Sequence, residues 1–308
     1  MARYLVTGGA GFIGSHLAHA LTARGHSVRI LDDLSTGRLD NVPAEAEFVR
    51  GDVADSGTAE AAVRGCDVVL HQAAIASVPL SISEPRASHA ANLNGTFNIL
   101  MAARDANVRR VIFAASSAAY GDDPVLPKVE HMPALPRSPY ALQKYSGEEY
   151  CKLFYRLYGL ETVALRYFNV FGPRQDPSSP YSGVLSLFIK AALAGSAATI
   201  YGDGGQTRDF VYIDNVVDGV LSSVEAQGAA GEVINLATGF GVSLNDAWAA
   251  LGDILGSLPA PVYEATRAGD IRHSVADIAK AADLLGYRPR ISFADGLRRT
   301  VEWARKAV

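Results

Sequence analysis

Tyr140 and Lys144 stand four residues apart in Tyr140-Ala141-Leu142-Gln143-Lys144, a spacing that sets a phenol and an ammonium on one helix face. A phenol with a pKa of about 10 is a poor base at neutral pH, but a neighbouring positive charge favours the phenolate and draws that value toward the working range. Ser116 and Ser117 close an apolar run, Arg110–Ala115, that reads as a strand. A serine hydroxyl there would meet the same substrate oxygen as the phenol, at the carboxyl edge where open α/β sheets bind ligands. Ser116, Tyr140 and Lys144 are therefore the candidate catalytic residues, suited to moving a proton at a hydroxyl or carbonyl.

A second constellation is Thr7-Gly8-Gly9-Ala10-Gly11-Phe12-Ile13-Gly14, which follows one apolar run and opens a helical one. Glycines Gly8, Gly11 and Gly14 suit a tight turn, close approach of the backbone to a pyrophosphate and close helix–strand packing, while the helix start offers unpaired N–H donors. Asp32 ends the second strand, where a carboxylate can accept from both ribose hydroxyls and repel a 2′-phosphate; Asp33 adds to that repulsion, so NAD is expected over NADP. Ser35, Thr36 and Gly37 are grouped with this site. Asp52, with Val53 beside it, closes the third strand, either to meet an adenine amino group or simply to form a turn. Gln72-Ala73-Ala74 places small residues after the fourth strand, where backbone must pass close to a cofactor.

The elements that must position these residues alternate. Strands are expected at Arg3–Gly8, Ser27–Asp32, Glu47–Gly51, Asp67–His71, Arg110–Ala115 and Thr162–Tyr167, apolar at successive positions as in a sheet covered on both faces. Helices are expected at 12–24, 57–64, 85–105 and 138–158, the last with Ser138 as cap and Pro139 at its first position. The fold class is α/β, a doubly wound parallel Rossmann sheet with a smaller C-terminal α/β substrate-binding region. After Phe171-Gly172-Pro173 the texture changes to Pro- and Ser-rich, with helices near 183–194, 214–226, 243–255, 277–285 and 293–305. The expected regions are 1–170 for the dinucleotide and 171–308 for the substrate, with a strand near 232–238 returning to the first sheet.

Composition narrows the function. Over 308 residues, 28 Lys and Arg face 32 Asp and Glu without a block of like charge, giving nucleic acid or a membrane surface no electrostatic footing. Cys66 and Cys151 are the only cysteines and have no ligand spacing, and His16, His19, His26, His71, His89, His131 and His273 form none either, so neither a disulfide framework nor a metal is expected. His71, at a strand end, reads as a packed and hydrogen-bonded residue. Residues 1–6 lead straight into an apolar strand and no apolar stretch reaches about 18 residues, so a cytoplasmic enzyme is expected.

Seven motifs in order carry a resemblance over essentially the whole chain: Thr7–Gly14, Asp32, Ala114–Gly121, Tyr140 with Lys144, Leu165–Gln175, Arg208–Tyr212 and Arg267–Asp270. Together they resemble the extended short-chain dehydrogenase/reductase superfamily, and within it the nucleotide-sugar 4-epimerases. The resemblance implies that Tyr140, helped by Ser116, takes the proton of a sugar 4-hydroxyl while hydride leaves C4 for NAD. The 4-keto sugar then turns over and receives hydride on its other face. It implies that Lys144 holds the nicotinamide ribose and lowers the Tyr140 pKa, and that Ser117 assists Ser116. It also carries NAD contacts to Asn92, Tyr167 and Val170, and contacts with the nucleotide diphosphate to Asn169, Val184, Tyr201, Arg208, Arg267 and Asp270. Two guanidinium groups could indeed grip a diphosphate bidentately.

Related 4,6-dehydratases carry an Asp-Glu pair just after the catalytic Ser or Thr; Ser117 and Ala118 stand there, which disfavours dehydration. Ser274, four residues after Asp270, matches the family position that walls the sugar pocket, where a small residue resembles enzymes admitting a 2-acetamido group. Ser77 either bonds the sugar or its acetamido group or is a plain loop serine. The expected reaction interconverts UDP-N-acetylglucosamine and UDP-N-acetylgalactosamine, with the non-acetylated pair as weaker substrates. The alternatives are a UDP-glucose 4-epimerase without N-acetyl activity, a uronic-acid epimerase or decarboxylase, an NAD(P)-dependent reductase and a non-catalytic NAD-binding sensor. Apolar and aromatic residues on the 85–105 and 138–158 helices, among them Phe97, Leu100, Leu153, Phe154 and Leu157, exceed what one sheet-facing side needs, and related enzymes pair these helices, so a homodimer is expected.

Overall fold

Runs that are apolar at every position demand cover on both faces, and the computed structural model, which describes residues 1–176, 183–266 and 271–307, provides it. In chain order the elements are β1 (Arg3–Thr7), α1 (Phe12–Ala23), β2 (Ser27–Asp32), β3 (Glu47–Arg50), α2 (Ser56–Val63), β4 (Val68–His71), α3 (Val78–Ser83), α4 (Pro85–His89), α5 (Gly95–Asp105), β5 (Arg110–Ser116), α6 (Pro139–Tyr158) and β6 (Glu161–Tyr167). There follow β7 (Asn169–Phe171), α7 (Val184–Leu193), β8 (Thr199–Tyr201), β9 (Thr207–Arg208), β10 (Phe210–Tyr212), α8 (Ile213–Glu225), β11 (Val233–Leu236), β12 (Val242–Ser243), α9 (Leu244–Leu255), β13 (Val262–Glu264), β14 (His273–Ser274), α10 (Ala279–Leu285) and α11 (Phe293–Ala307).

Seven strands form one parallel sheet in the order β11-β6-β5-β4-β1-β2-β3. Leu5, Leu31, Val69, Val111 and Phe113 face a core shared with α2, α5 and α6. Their neighbours Val6, Ile30, Leu70, Ile112 and Leu165 point the other way, into a core with α1, α7, α8 and α9. Each such burial contributes roughly 1.5–3 kcal/mol before chain entropy is counted. The second core draws on residues from Tyr4 to Val301, so the expected regions 1–170 and 171–308 share it: α8 packs beside α1, and β11 extends the sheet by pairing with β6.

The helix expected at 85–105 is divided. Between α4 and α5 the path widens into a π-segment, Ala90–Asn94, at the place where Thr96 Oγ1 donates to the Asn92 carbonyl at 2.7 Å and so competes for a helix acceptor. The short helix α3 and the strands β7 to β10 and β12 to β14 escape a periodicity reading because most of them last only two or three residues. Helix α6 begins as expected, with Ser138 Oγ accepting from Ala141 N at 3.1 Å, and it ends at Gly159 in the left-handed conformation. A Cβ at Gly147 would lie 2.5 Å from the Phe113 ring, which lets α6 lie directly on β5.

Glu148 on α6 grips Arg166 on β6 through a bidentate pair, 3.0 Å to Nε and 2.7 Å to Nη2, with both side chains buried and the guanidinium 4.5 Å from the Tyr120 ring centre. Removing one partner of such a pair strands a buried charge, typically at about 3–5 kcal/mol. This fastens α6 to the sheet a second time, one turn beyond Lys144. No helix among the described residues is long and apolar enough to cross a membrane.

Candidate active site

In this strand order the chain departs to opposite sides after β1 and β4, opening a crevice at their carboxyl ends, where Thr7 lies opposite His71. A hydrogen-bond chain fixes that crevice. The Thr96 hydroxyl donates to the Asn92 carbonyl, so it accepts from His71 Nε2 at 3.0 Å; His71 Nδ1 then accepts from the Thr7 hydroxyl at 2.7 Å. Thr7 Oγ1 is left to accept from the backbone N–H of Gln72 (3.1 Å) and Ala73 (3.2 Å). Burial, with the Lys144 charge adding to it, pushes the His71 pKa down to about 3, which keeps the ring neutral for this relay. His71 is the packed, bonded residue expected.

The glycine turn crosses the crevice against the 72–74 backbone. Gly8 has φ +66°, and a Cβ there would meet Ala73 N at 2.8 Å; a Cβ on Gly14 would fall 2.1 Å from the Gly8 carbonyl oxygen. No side chain caps α1 at Gly11, so the first turn at Phe12 and Ile13 presents backbone donors to the crevice. Asp32, nearly buried, accepts from Ala10 N at 3.0 Å and Leu34 N at 2.8 Å, and burial raises its pKa against the pull of these bonds. A Cβ at Gly37 would lie 2.7 Å from Asp32 Oδ1, which shows how tightly the 34–37 loop wraps that carboxylate. Asp33 is exposed and bonds Ser35 N and Oγ; Thr36 is exposed beside them.

Three expected cofactor residues, Asp52, Val53 and Asn92, have partners within the fold. Asp52 Oδ1 accepts from Ala54 N at 2.8 Å, the turn alternative, while Val53 packs under Gly95. Asn92 is wholly buried: Oδ1 accepts from Ile75 N at 2.8 Å, and Nδ2 reaches Ile75 O, Ser88 Oγ and Gln143 Oε1. Asn92 thus acts as a strut that ties the loop after Ala74 to α6. Tyr167 donates its hydroxyl to Gln72 Oε1 at 3.1 Å, leaving the buried Gln72 Nε2 without a partner, and Val170 gives its carbonyl to Gln175. A dinucleotide suits this crevice: glycines that permit close approach, an uncapped helix start, an acid at the end of β2 and an orphan amide donor on its far wall.

Ser116 ends β5 directly opposite Tyr167, near enough to the Tyr140 phenol to ease the rise in its pKa. Lys144 is buried and turned toward the sheet. Its ammonium donates to the Ala114 carbonyl at 2.8 Å and lies 5.0 Å from the Phe113 ring, fully turned onto β5. Burial shifts the Tyr140 pKa upward and the Ser116 hydroxyl eases it, while burial brings the Lys144 pKa down to about 8. Ser117 starts a short turn beside Ser116. Ser77 caps α3 by accepting from Leu80 N at 3.1 Å, and Ser81 of α3 accepts from Tyr140 N at the same distance, so α3 is tied to the start of α6.

Of the expected substrate residues, Arg208 and Ser274 are brought opposite each other in the β9–β14 pair, and Asn169 reaches the residue just after β9 through its N–H to Asp209 O at 3.0 Å. Val184 starts α7, packed against the core, and Tyr201 ends β8 with its carbonyl held by Gln206 Nε2. Arg267 and Asp270 lie outside the described residues. Sequence reasoning gave no role to Thr7, Gln143 or Asp209; the signal for Asp209 was its place beside Arg208 in a matched motif, and Gln143 carried none. Among the described residues no group of three His, Cys, Asp or Glu could hold a metal.

Residues 4–237 match the model of the NAD dependent epimerase/dehydratase family. The chain is 40% identical over 312 residues, 98% of either chain, to a UDP-glucose 4-epimerase of Mycolicibacterium smegmatis. Its structure superposes with a TM-score of 0.95 and 40% identity on a UDP-N-acetylglucosamine 4-epimerase from Methanobrevibacter ruminantium in complex with UDP-N-acetylmuramic acid, covering 100% of this chain and 99% of that one. It superposes at 0.90 and 39% identity on the Thermus thermophilus UDP-glucose 4-epimerase in complex with NAD, covering 99% and 100%. Gly14→Ala, which drives a methyl into the Gly8 carbonyl, is expected to leave the protein folded by circular dichroism but to lower NAD affinity by at least about 10-fold; unaltered affinity would contradict the assignment of the glycine cradle. On the match over three quarters of its length and the cradle just described, the chain belongs to the NAD-dependent epimerase/dehydratase family and is an NAD-dependent enzyme.

Proposed function

We propose that this enzyme is a UDP-sugar 4-epimerase and that its preferred pair is UDP-N-acetylglucosamine and UDP-N-acetylgalactosamine, with UDP-glucose and UDP-galactose as weaker substrates. The observation that carries the reaction is the placement of Ser116 at the carboxyl edge of β5, where it eases the pKa of the buried Tyr140 phenol. The neighbouring positions, Ser117 and Ala118, add no acid or base with which to eliminate water. Half-buried Ser274, opposite Arg208, supports the acetylated pair, because a hydroxymethyl side chain leaves room that an aromatic ring would fill.

NAD, when bound, supplies a reversible acceptor for the hydrogen leaving C4 of the sugar. Gly8, Gly11 and Gly14, with the start of α1, would hold its pyrophosphate, Asp32 a ribose and Lys144 the nicotinamide end. Tyr140 takes the 4-hydroxyl proton, Ser116 bonds the same oxygen, and the phenol returns the proton after the keto sugar has turned in the pocket. Because burial favours the neutral phenol, the reactive phenolate is a minority at neutral pH, and turnover is expected to keep rising with pH through the neutral and mildly alkaline range. Arg208 would grip the diphosphate.

The exposed Phe97, Leu153, Leu157 and Tyr158 on α5 and α6 support a homodimer through these helices; a sedimenting monomer at micromolar concentration would count against it. For the reaction itself, desalted protein is incubated with each UDP-sugar without added cofactor and the stereoisomers are resolved. Both acetylated isomers are expected to form. Tyr140→Phe should lower turnover by roughly 10²–10⁴-fold, and Ser274→Tyr should suppress the acetylated pair while sparing the plain one. Inert acetylated sugars beside fast plain ones would favour the UDP-glucose enzyme instead, and unchanged turnover by Tyr140→Phe would require a different base.

A further inference from the structure

Asp209 follows Arg208 directly and its side chain is wholly buried. A carboxylate so placed needs donors to offset its lost hydration. Oδ1 accepts from Thr238 N (2.8 Å) and Thr238 Oγ1 (2.6 Å), and Oδ2 accepts from Gly239 N (2.9 Å) and Ala276 N (3.3 Å). Its backbone adds two bonds: its N–H donates to Ser274 O at 2.8 Å, and its carbonyl accepts from Asn169 N. One residue thus fastens the strand bearing Arg208 to the turn after β11 and to the segment 274–277.

That segment is gripped on its other side by the loop between Ser116 and Tyr140. Lys128 N donates to Val275 O at 2.8 Å, and Asp277 N donates to Lys128 O at 2.9 Å. Ser274 and Ala276 therefore bond Asp209 while Val275 and Asp277 bond Lys128, the alternation of an extended strand. Asn235 Nδ2 donates to the carbonyls of both Lys128 and Asp277. The Lys128 side chain is 2% exposed and folds back on its own loop, its ammonium bonded to the Asp123 carbonyl. The loop is fixed again beside Ser116, where Leu135 N donates to Ala119 O at 2.9 Å.

We propose that Asp209 is a positioning residue: by holding Ser274 and Ala276 it makes 274–277 a tie between the strand of Arg208 and the loop leading from Ser116 to Tyr140. The grip on a substrate's diphosphate, the wall of the sugar pocket and the catalytic loop are then set as one unit. The consequence for sugar selectivity rests on the reading of the pocket as a UDP-sugar site; the tie itself does not.

Asp209→Asn keeps the shape but replaces one acceptor oxygen by an NH₂ that faces N–H donors, and Thr238→Val removes a single donor, so the second serves if the first does not fold. Hydrogen exchange on the full NAD-loaded chain should show the Lys128 and Asp277 amides exchanging at least about 10-fold faster, with the β5–β6 ladder unchanged. The ratio of kcat/KM for UDP-N-acetylglucosamine over UDP-glucose should shift at least about 5-fold, more for Asp209→Asn than for Thr238→Val. Folded variants with unchanged exchange at Lys128 and Asp277, or with a uniform loss of activity at constant ratio, would overturn the proposal. Wild-type protein inert toward both sugars would instead overturn the UDP-sugar reading, and the exchange rates would still decide on the tie.

Discussion

The seat of α6 on the end of β5 is the constraint on which the site depends. Gly147 lets the helix approach the Phe113 ring, Lys144 sends its ammonium down to the Ala114 carbonyl, and Glu148 locks onto Arg166 of the next strand. These three contacts come from consecutive turns or neighbouring positions of one helix, so its rotation and height over the sheet are fixed together. With that placement set, Tyr140 lies at the first turn of the helix, near Ser116 at the strand end. Lysine's first task in this structure is thus geometric: its ammonium pins α6 to the Ala114 carbonyl.

The opposite wall is built with equal economy of parts. A neutral His71 passes hydrogen-bond direction from Thr96 to Thr7, which then holds the 72–73 backbone against the glycine turn. The crevice is consequently rigid where a pyrophosphate must fit closely. The C-terminal region is joined to this frame by a shared core, by β11 at the sheet edge and by the buried Asp209, so Arg208 and Ser274 are not carried on a loosely hinged lobe.

Much of this was legible before any coordinates. Strands buried on both faces give unbroken apolar runs, and Ser138-Pro139 marks a helix start, so the sheet, α6 and the trio Ser116, Tyr140 and Lys144 could be read from residue order alone. What could not be read depends on tertiary partners. Asn92 looks like any polar residue on a helix until Ile75 and Gln143 are seen to use its whole amide. The direction of the Lys144 side chain is decided by a carbonyl thirty residues away in sequence. Strands of two or three residues, such as β9 and β14, have no period to detect, although they set Arg208 against Ser274.

The account holds that one phenol moves the proton while the hydrogen on C4 never leaves the enzyme's interior. Its most direct test is the fate of deuterium placed at C4 of the UDP-sugar, followed through repeated turnover in ordinary water by desalted protein. Retention of the label at C4 in both isomers, with turnover slowed by the substitution, is the predicted result. Loss of the label to solvent, with no effect on rate, would contradict the mechanism even with the fold and the family unchanged.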